Sequence, residues 1–282
     1  MDRKFDKPKQ LLKILNDCTD YLSARGVNAS RLQAELLLAH VLKMSRLELY
    51  LQFEKELTCE ELDELRPMLK RRGERVPLQH IVGEVEFCGL MLELSPAALI
   101  PRPETEILVE LAYQELKDLS PGLVYDVGTG SGAIALALAH RLPEWHVVAT
   151  DISPAALELA KRNHARYPER KVTWHQMDLL EGMTEPAALV VANLPYLTIE
   201  EMNHLQPEVK ADPTSALHGG EDGLDLVREL LPQAAKLAPS ILLEVGIGHT
   251  DHAAELAREA GFLQATVLQD LTERPRFILA KR

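Results

Sequence analysis

An open α/β domain, with a parallel sheet covered by helices on both faces and a small helical domain and β-hairpin linker in front of it, is the fold class this sequence predicts. Three observations carry the prediction. From about Pro103 onward, short apolar runs alternate with helical patterns, the signature of a parallel sheet wound with helices. Four successive apolar runs each end in one polar residue: Asp126, Asp151, Asp178 and Asn193. The first run, Leu123-Val124-Tyr125-Asp126-Val127, feeds a glycine loop, Gly128-Thr129-Gly130-Ser131-Gly132, and then the Ala/Leu helix Ala133 to Ala139.

In chain order, residues 9 to about 72 read as helices. Leu11, Leu12, Ile14, Leu15, Tyr21 and Leu22 form one amphipathic stripe. Arg31 to Lys43 reads as a second, strongly apolar helix with Asn28 or Ser30 as its N-cap, and Ser45 to Gln52 as a short third. Thr58-Cys59-Glu60-Glu61 matches a capping box and opens a fourth. The basic cluster Lys70-Arg71-Arg72-Gly73-Glu74-Arg75 reads as a solvated helix end complementing the dipole, with a partner-docking patch as the sharper alternative. Residues 1–75 are thus expected to form a helical bundle without catalytic residues, serving packing or partner recognition. Residues 76 to about 95 alternate apolar and polar, with Gly83 and Gly89 as turn points, which predicts a β-hairpin within a 76–100 linker. Pro101-Arg102-Pro103 either fixes the chain over a ligand site or punctuates it before a helix near Glu104. It opens the larger domain, 101–282. Beyond the fourth strand, Asp222 to Leu237 reads as a helix, Ser240 to Val245 as a strand and His249 to Ala260 as a helix. Ala265 to Leu268 and Arg276 to Ala280 close the domain as two strands.

The strand ends suggest a ligand. Glycines let backbone groups approach it closely. Asp126 points into the crevice of an open α/β sheet, where it could hold the ammonium of an amino-acid moiety, directly or through water. Asp151, about 20 residues after the glycines, is placed for ribose hydroxyls. Asp178, with Leu179 beside it, could accept from an adenine amino group. Gly128-x-Gly130-x-x-Ala133 also satisfies the dinucleotide fingerprint, with Asp151 as the ribose acid of NAD. Two features favour S-adenosylmethionine instead: Asp126 would oppose a pyrophosphate, and Asp178 with the segment at Asn193 has no place in a dehydrogenase. The residues assigned to this cofactor are Asp126, Gly128, Thr129, Gly130, Ser131, Gly132, Asp151, Asp178, Leu179 and Asn193. A structural glycine loop without a ligand is the bland alternative.

The fourth strand runs into Asn193-Leu194-Pro195-Tyr196. This tetrad presents two acceptors side by side, the Asn193 side-chain oxygen and the Leu194 carbonyl. Pro195, with no N–H and a fixed φ, holds that carbonyl in place. Tyr196 offers a flat face. Asn193, Leu194, Pro195 and Tyr196 together can grip a planar NH₂ group by both hydrogens, so they are the expected substrate-binding residues, with Asn193, Pro195 and Tyr196 as the catalytic set. A Pro-containing turn after a buried strand is the bland reading.

Together with these motifs, several longer segments resemble the release-factor glutamine methyltransferases. They are Arg75 to Gly89, Leu99-Ile100-Pro101-Arg102-Pro103-Glu104-Thr105-Glu106, Glu208 to Gly223 with its Gly219-Gly220 and Asp222-Gly223 pairs, Leu243-Glu244-Val245-Gly246, and Asp270-Leu271. The resemblance covers nearly the whole chain. It implies a class I S-adenosylmethionine-dependent methyltransferase domain, Rossmann-like with a seven-stranded sheet ending in an antiparallel hairpin. It implies methylation of the side-chain amide nitrogen of the glutamine in the Gly-Gly-Gln motif of peptide-chain release factors, and a helical domain that helps dock them. One position departs: the family usually carries Asn-Pro-Pro-Tyr, and Leu194 stands at its second place. Asn-Leu-Pro-Tyr is usual in ribosomal RNA adenine dimethylases. The contact there is a backbone carbonyl, so leucine can supply it.

Composition is that of a soluble, cytoplasmic enzyme. The chain has 282 residues, room for a large and a small core, and its 46% hydrophobic content is ordinary for globular proteins. No apolar run approaches the ~18 residues of a membrane span, and Met1 to Lys7 leads into no signal-peptide core. Cys18, Cys59 and Cys88 lie far apart and read as separate reduced thiols. No His-Glu-x-x-His arrangement occurs, and no metal is expected. The formal charge of −12 repels nucleic acid, so no stable nucleic-acid binding is expected. Two other readings stay open: an N6-adenine or other exocyclic-amine methyltransferase acting on nucleic acid, and a non-catalytic S-adenosylmethionine-binding docking module.

Overall fold

A computed structural model describes residues 9–282; the opening segment 1–8, including the stretch read as carrying no signal-peptide core, lies outside the described residues. The chain divides into two compact units. One takes the chain up to Gly83 together with Gln206–Ala211, and the other takes Glu84–Leu205 with Asp212–Arg282.

The first unit contains β1 (Lys9–Gln10), α1 (Leu11–Ser23), α2 (Ser30–Leu42), α3 (Arg46–Leu51), β2 (Glu56–Leu57), α4 (Cys59–Gly73) and α5 (Leu78–Val82). Leu11, Leu15 and Leu22 of α1 pack with Leu37 and Leu38 of α2 and Leu62 of α4 in one apolar cluster. Ser45 and Thr58 close capping boxes with Glu48 and Glu61, each satisfying backbone donors at a helix start. The N-cap of α2 is neither Asn28 nor Ser30. Ala29 takes that place in a left-handed conformation, and the Ser30 hydroxyl donates backward to the Val27 carbonyl. Residues 78–82 are also helical rather than part of a hairpin, and Gly83 ends that turn with φ 86°. Leucine and isoleucine at 78 and 81 fit one helical face as well as a strand, and here they join the apolar cluster.

The basic end of α4 is not a solvated helix end throughout. Arg72 is buried; it donates to Gln33, to the Val76 carbonyl and to Glu208. Arg75 grips both oxygens of the same carboxylate at 2.6 and 2.8 Å. Arg75 foremost, with Arg72, holds the Glu208 carboxyl down at about 2.

In the second unit, β3 (Glu84–Phe87) and β4 (Leu90–Glu93) form a hairpin whose two-residue turn places Cys88 and Gly89 at positive φ. α6 (Pro103–Leu116) starts with proline at its first position, as the sequence suggests. There follow β5 (Leu123–Val127), α7 (Ala133–Arg141), β6 (His146–Asp151), α8 (Pro154–Ala165), β7 (Val172–Gln176), β8 (Leu189–Asn193), α9 (Ile199–Asn203), α10 (Asp225–Leu237), β9 (Ser240–Glu244), α11 (Thr250–Glu259), β10 (Gln264–Gln269) and β11 (Pro275–Lys281). The seven-stranded sheet has the order β10-β11-β9-β8-β5-β6-β7, and only β11 runs antiparallel to its neighbours β9 and β10 among pairs that involve it. Alternate residues serve opposite faces. Tyr125, Val190 and Leu243 pack with α10 and α11, whereas Val124, Val191 and Leu242 pack with α6 and α7.

The chain steps outward from β5 through β6 to β7, then returns to place β8 on the other side of β5. This reversal opens a crevice at the carboxyl ends of β5 and β8, where an α/β sheet binds ligands. Among the described residues, no helix is long and apolar enough to cross a membrane.

Candidate active site

A cavity of about 330 Å³ occupies that crevice. Its lining combines the glycine loop, the ends of β6 and β8, the Ala97–Arg102 segment with Thr105, and Ser215, Ala216 and Leu226. Gly128, Thr129, Gly130, Ser131, Asp151, Asp178, Leu179, Asn193, Leu194 and Pro195, all singled out from the sequence, meet there. Gly132, Asp126 and Tyr196 do not line it.

The glycine loop is tied inward. Gly128 and Thr129 donate to the Thr150 carbonyl, both at 2.9 Å, Gly132 donates to the Thr129 carbonyl, and Gly130 donates to Asp151 Oδ2 at 2.8 Å. Gly128, Gly130 and Gly132 sit at φ 71°, 56° and 83°, which side-chain-bearing residues rarely adopt. A Cβ at Gly128 would also stand 2.8 Å from Leu194 Cδ2. The glycines therefore supply a turn and close approach, and these four N–H groups are not free to cradle phosphate. With two carboxylates beside them, the loop does not suit a dinucleotide pyrophosphate.

Asp126 is wholly buried, a correction to its expected exposure to the crevice. Its Oδ2 accepts from Thr129 Oγ1 at 2.6 Å and from the Ala135 N–H at 3.0 Å, so it anchors the loop and the start of α7. Its Oδ1 is buried and has no partner within the protein. Burial pushes this carboxyl up to about 7, against the lowering effect of both hydrogen bonds. Relative to an unfolded value of 3.8, the folded chain then holds an extra proton between the two values, so stability falls as pH rises through that window. Asp126→Asn should flatten this slope, read as unfolding free energy from urea titrations across the window; a slope as steep as in the native chain would refute the assignment.

Asp151 ends β6 with both oxygens engaged, Oδ2 by Gly130 and Oδ1 by the Ser153 N–H at 2.8 Å. Burial raises its pKa and these backbone donors oppose the rise. Each oxygen keeps acceptor capacity toward the cavity. Asp178 is exposed at the lip. Leu179 is buried at φ 47°, and its carbonyl accepts from Thr150 Oγ1 at 2.8 Å. A leucine in the left-handed region is uncommon, and the bond from β6 helps hold it there.

The tetrad leaves β8 directly. Asn193 Nδ2 donates to Thr105 Oγ1 at 3.0 Å, and Thr105 Oγ1 donates to Glu244 Oε2 at 2.9 Å. Arg276 donates to Glu244 Oε1 at 3.2 Å and to the Tyr196 hydroxyl at 2.6 Å. The Tyr196 hydroxyl is therefore held by Arg276, and Tyr196 does not line the cavity. The buried Arg276–Glu244 pair draws its hydroxyl inward, with the guanidinium carbon 5.1 Å from its ring centre. Leu194 is buried and covers Gly128. Just beyond the tetrad a single bridge ties Leu197 to the stretch around His218: Leu197 donates to the Leu217 carbonyl and Gly219 to the Leu197 carbonyl.

Sequence reasoning assigned no contact to Arg102 and no role to Thr105, Glu244 or Arg276. Arg102 Nη2 pairs with buried Asp212 at 2.5 Å, and Asp212 also accepts from the Ile100 N–H. This fixes the proline-rich segment along the cavity. Glu244 carries the same signal that marked Asp126 and Asp151, an acid at the end of an apolar strand. Arg276 has no such signal, because only the antiparallel pairing of β11 with β9 brings it to Glu244.

The donor set fits S-adenosylmethionine. A pinned acid at the end of β6 and an exposed acid at the lip, both lining the cavity, match a ligand with a ribose and an adenine. Comparison with known proteins agrees. Residues 13–83 match the PrmC N-terminal domain and residues 124–211 a methyltransferase domain. The release factor glutamine methyltransferase of Deinococcus radiodurans is 42% identical over 97% of this chain and 99% of its own length. The Homo sapiens MTRF1L release factor glutamine methyltransferase is 34% identical over 96% of this chain and 87% of its own. Among solved structures, the hMettl16 catalytic domain bound to an RNA hairpin superposes with a TM-score of 0.57 at 16% identity, covering 78% of this chain and 81% of that one, a likeness of fold. At this level of identity across nearly its full length, the chain belongs to the release factor glutamine methyltransferases.

Proposed function

We infer that this protein transfers a methyl group from S-adenosylmethionine to the side-chain amide nitrogen of the glutamine in the Gly-Gly-Gln motif of peptide-chain release factors, and so modulates translation termination. The observation that carries the reading is the orientation of Asn193: its Nδ2 is taken by Thr105, leaving Oδ1 as the atom of that amide that accepts at the cavity. Bound S-adenosylmethionine supplies a methyl already activated by a sulfonium. Asp151 would hold its ribose and Asp178 its adenine amine, with the glycine loop giving close approach and the buried Asp126 holding that loop in place.

The difficult partner is the glutamine amide, whose nitrogen lone pair is delocalised into its carbonyl. Asn193 Oδ1 and the Leu194 carbonyl accept its two N–H groups and favour a more electron-rich nitrogen. Pro195 fixes the second acceptor. Holding the nitrogen in line is worth up to ~7–11 kcal/mol in favourable cases. No general base is required, since the product amide can lose its proton after transfer. The helical unit, which runs to Gly83 and takes in Gln206–Ala211, would dock the release factor. A cytoplasmic location is part of this reading, since release factors act in translation, and the charge of −12 argues against stable nucleic-acid binding.

Labelled S-adenosylmethionine incubated with a purified release factor, beside one whose Gly-Gly-Gln glutamine is alanine, tests the reading. Label on the unaltered factor alone is expected. Label on RNA instead would favour exocyclic-amine methylation of nucleic acid, and cofactor binding without any transfer a docking module. Asp151→Ala should weaken cofactor affinity by about 10–100-fold, as loss of hydrogen bonds to a charged group implies. Unchanged affinity in a calorimetric titration would remove Asp151 from the ribose site.

A further inference from the structure

Behind the tetrad, Thr105 from the first turn of α6, Glu244 from the end of β9 and Arg276 from β11 make one continuous polar chain from Asn193 to Tyr196. Thr105 and Glu244 are buried, at 4% and 2% exposure. Burying a carboxylate is costly, and this one is met from both sides.

The chain of hydrogen bonds has a direction. An ionised carboxylate only accepts. The Thr105 hydroxyl therefore spends its one proton on Glu244 and presents only lone pairs to Asn193. Asn193 must then offer its NH₂ to Thr105 and turn Oδ1 the other way. An asparagine amide is nearly symmetric in shape, and a half-turn would present two donors where the substrate amide also brings donors. Arg276 supports the direction by keeping a positive charge against Glu244, and the same guanidinium holds the Tyr196 hydroxyl at the far end of the tetrad.

We propose that Thr105, Glu244 and Arg276 are positioning residues that set which face of the Asn193 amide meets the substrate, and through Tyr196 hold the tetrad at both ends. The proposal deepens the glutamine-methylation reading and rests on it for the identity of the substrate.

The test compares Thr105→Val, which keeps the shape and loses the hydroxyl, with Thr105→Ser, which restores it. Thr105→Val should lower kcat for release-factor methylation about 100-fold, as expected for a misaligned reacting group, with KM and cofactor affinity changed less than about threefold. Thr105→Ser should recover most of kcat. Glu244→Gln should also lower kcat, because an amide can donate to Thr105 and undo the direction. A native kcat in Thr105→Val, or a Thr105→Ser enzyme as slow as Thr105→Val, overturns the proposal. If Thr105→Val does not fold, the Thr105→Ser and Thr105→Ala pair decides, and equal kcat values overturn it. Nuclear magnetic resonance of the Asn193 side-chain NH₂, assigned by its loss in Asn193→Asp, gives a readout without substrate. Slowed hydrogen exchange in the native chain, lost in Thr105→Val and kept in Thr105→Ser, supports the proposal; no protection in the native chain overturns it. A native enzyme that labels no release factor, with that protection intact, overturns the substrate reading and leaves the positioning role supported.

Discussion

Asn193→Ala is expected to abolish methyl transfer to a release factor while S-adenosylmethionine still binds. Three losses coincide in this substitution. The substrate amide loses one of its two acceptors, Thr105 Oγ1 loses the donor it accepts from, and the alignment of the nitrogen relaxes. Removing a single preorganised hydrogen-bonding group from a reacting centre costs about 10²–10³ in kcat, and the added loss of alignment puts the expected fall at about 10³-fold or more. Asp151, the acid proposed for the ribose, and Asp126, which holds the glycine loop, have their own anchors in Gly130 and Ser153 and in Thr129 and Ala135, none of which involves Asn193. Cofactor affinity by equilibrium titration should therefore stay close to native. A variant that no longer binds the cofactor would show that Asn193 belongs to that site rather than to the substrate's.

Gly219→Ala should be nearly as damaging, although Gly219 does not line the cavity. A Cβ there would stand 2.5 Å from the Pro195 carbonyl oxygen, 2.6 Å from Tyr196 Cα and 2.9 Å from the Gly223 carbonyl oxygen. All three are backbone atoms, so no side chain can swing aside, and the tetrad itself must move. A shift of that kind next to the reacting amide is expected to lower kcat about 100-fold, with about 1–3 kcal/mol of stability lost to overpacking. Gly122→Ala is the matched control. Its added Cβ meets Trp145 Cζ3 at 3.6 Å and the Ser120 carbonyl oxygen at 4.0 Å, both ordinary contacts, and its φ lies outside the left-handed region. Turnover by Gly219→Ala at the native rate would mean that the Gly219–Gly223 segment does not set the tetrad's position.

Much of the architecture was legible because it is local. The four strand ends, the glycine loop, the proline start of α6 and the capping box at Thr58 each lie within a few residues of the pattern that reveals them. The misreadings have a common physical origin in partners far along the chain. The partner of the Tyr196 hydroxyl, Arg276, lies 80 residues on, where no local pattern reports it. Arg72 looks like a solvated helix end until Glu208, 136 residues away, is set against it. Asp126 was rightly placed at the end of a strand, but the depth of its burial depends on the sheet neighbours β6 and β8, which no local pattern reports. The short α5 was missed for another reason, since five residues are too few for helical and strand periodicities to separate.

The six residues Gln206–Ala211 have a consequence for how this protein can be taken apart. They interrupt the catalytic unit between the tetrad and Asp212, yet they belong to the unit built from the beginning of the chain, where Arg72 and Arg75 hold Glu208. The helical unit is thus discontinuous in sequence, and a single cut near Gly83 does not excise it. Severed there, the first fragment leaves two guanidiniums without their carboxylate, and the second carries six residues evolved to fold onto something it no longer has. Grafting a helical unit from one relative onto the catalytic unit of another is accordingly a two-segment exchange, in which the stretch around Glu208 travels with the residues that bind it.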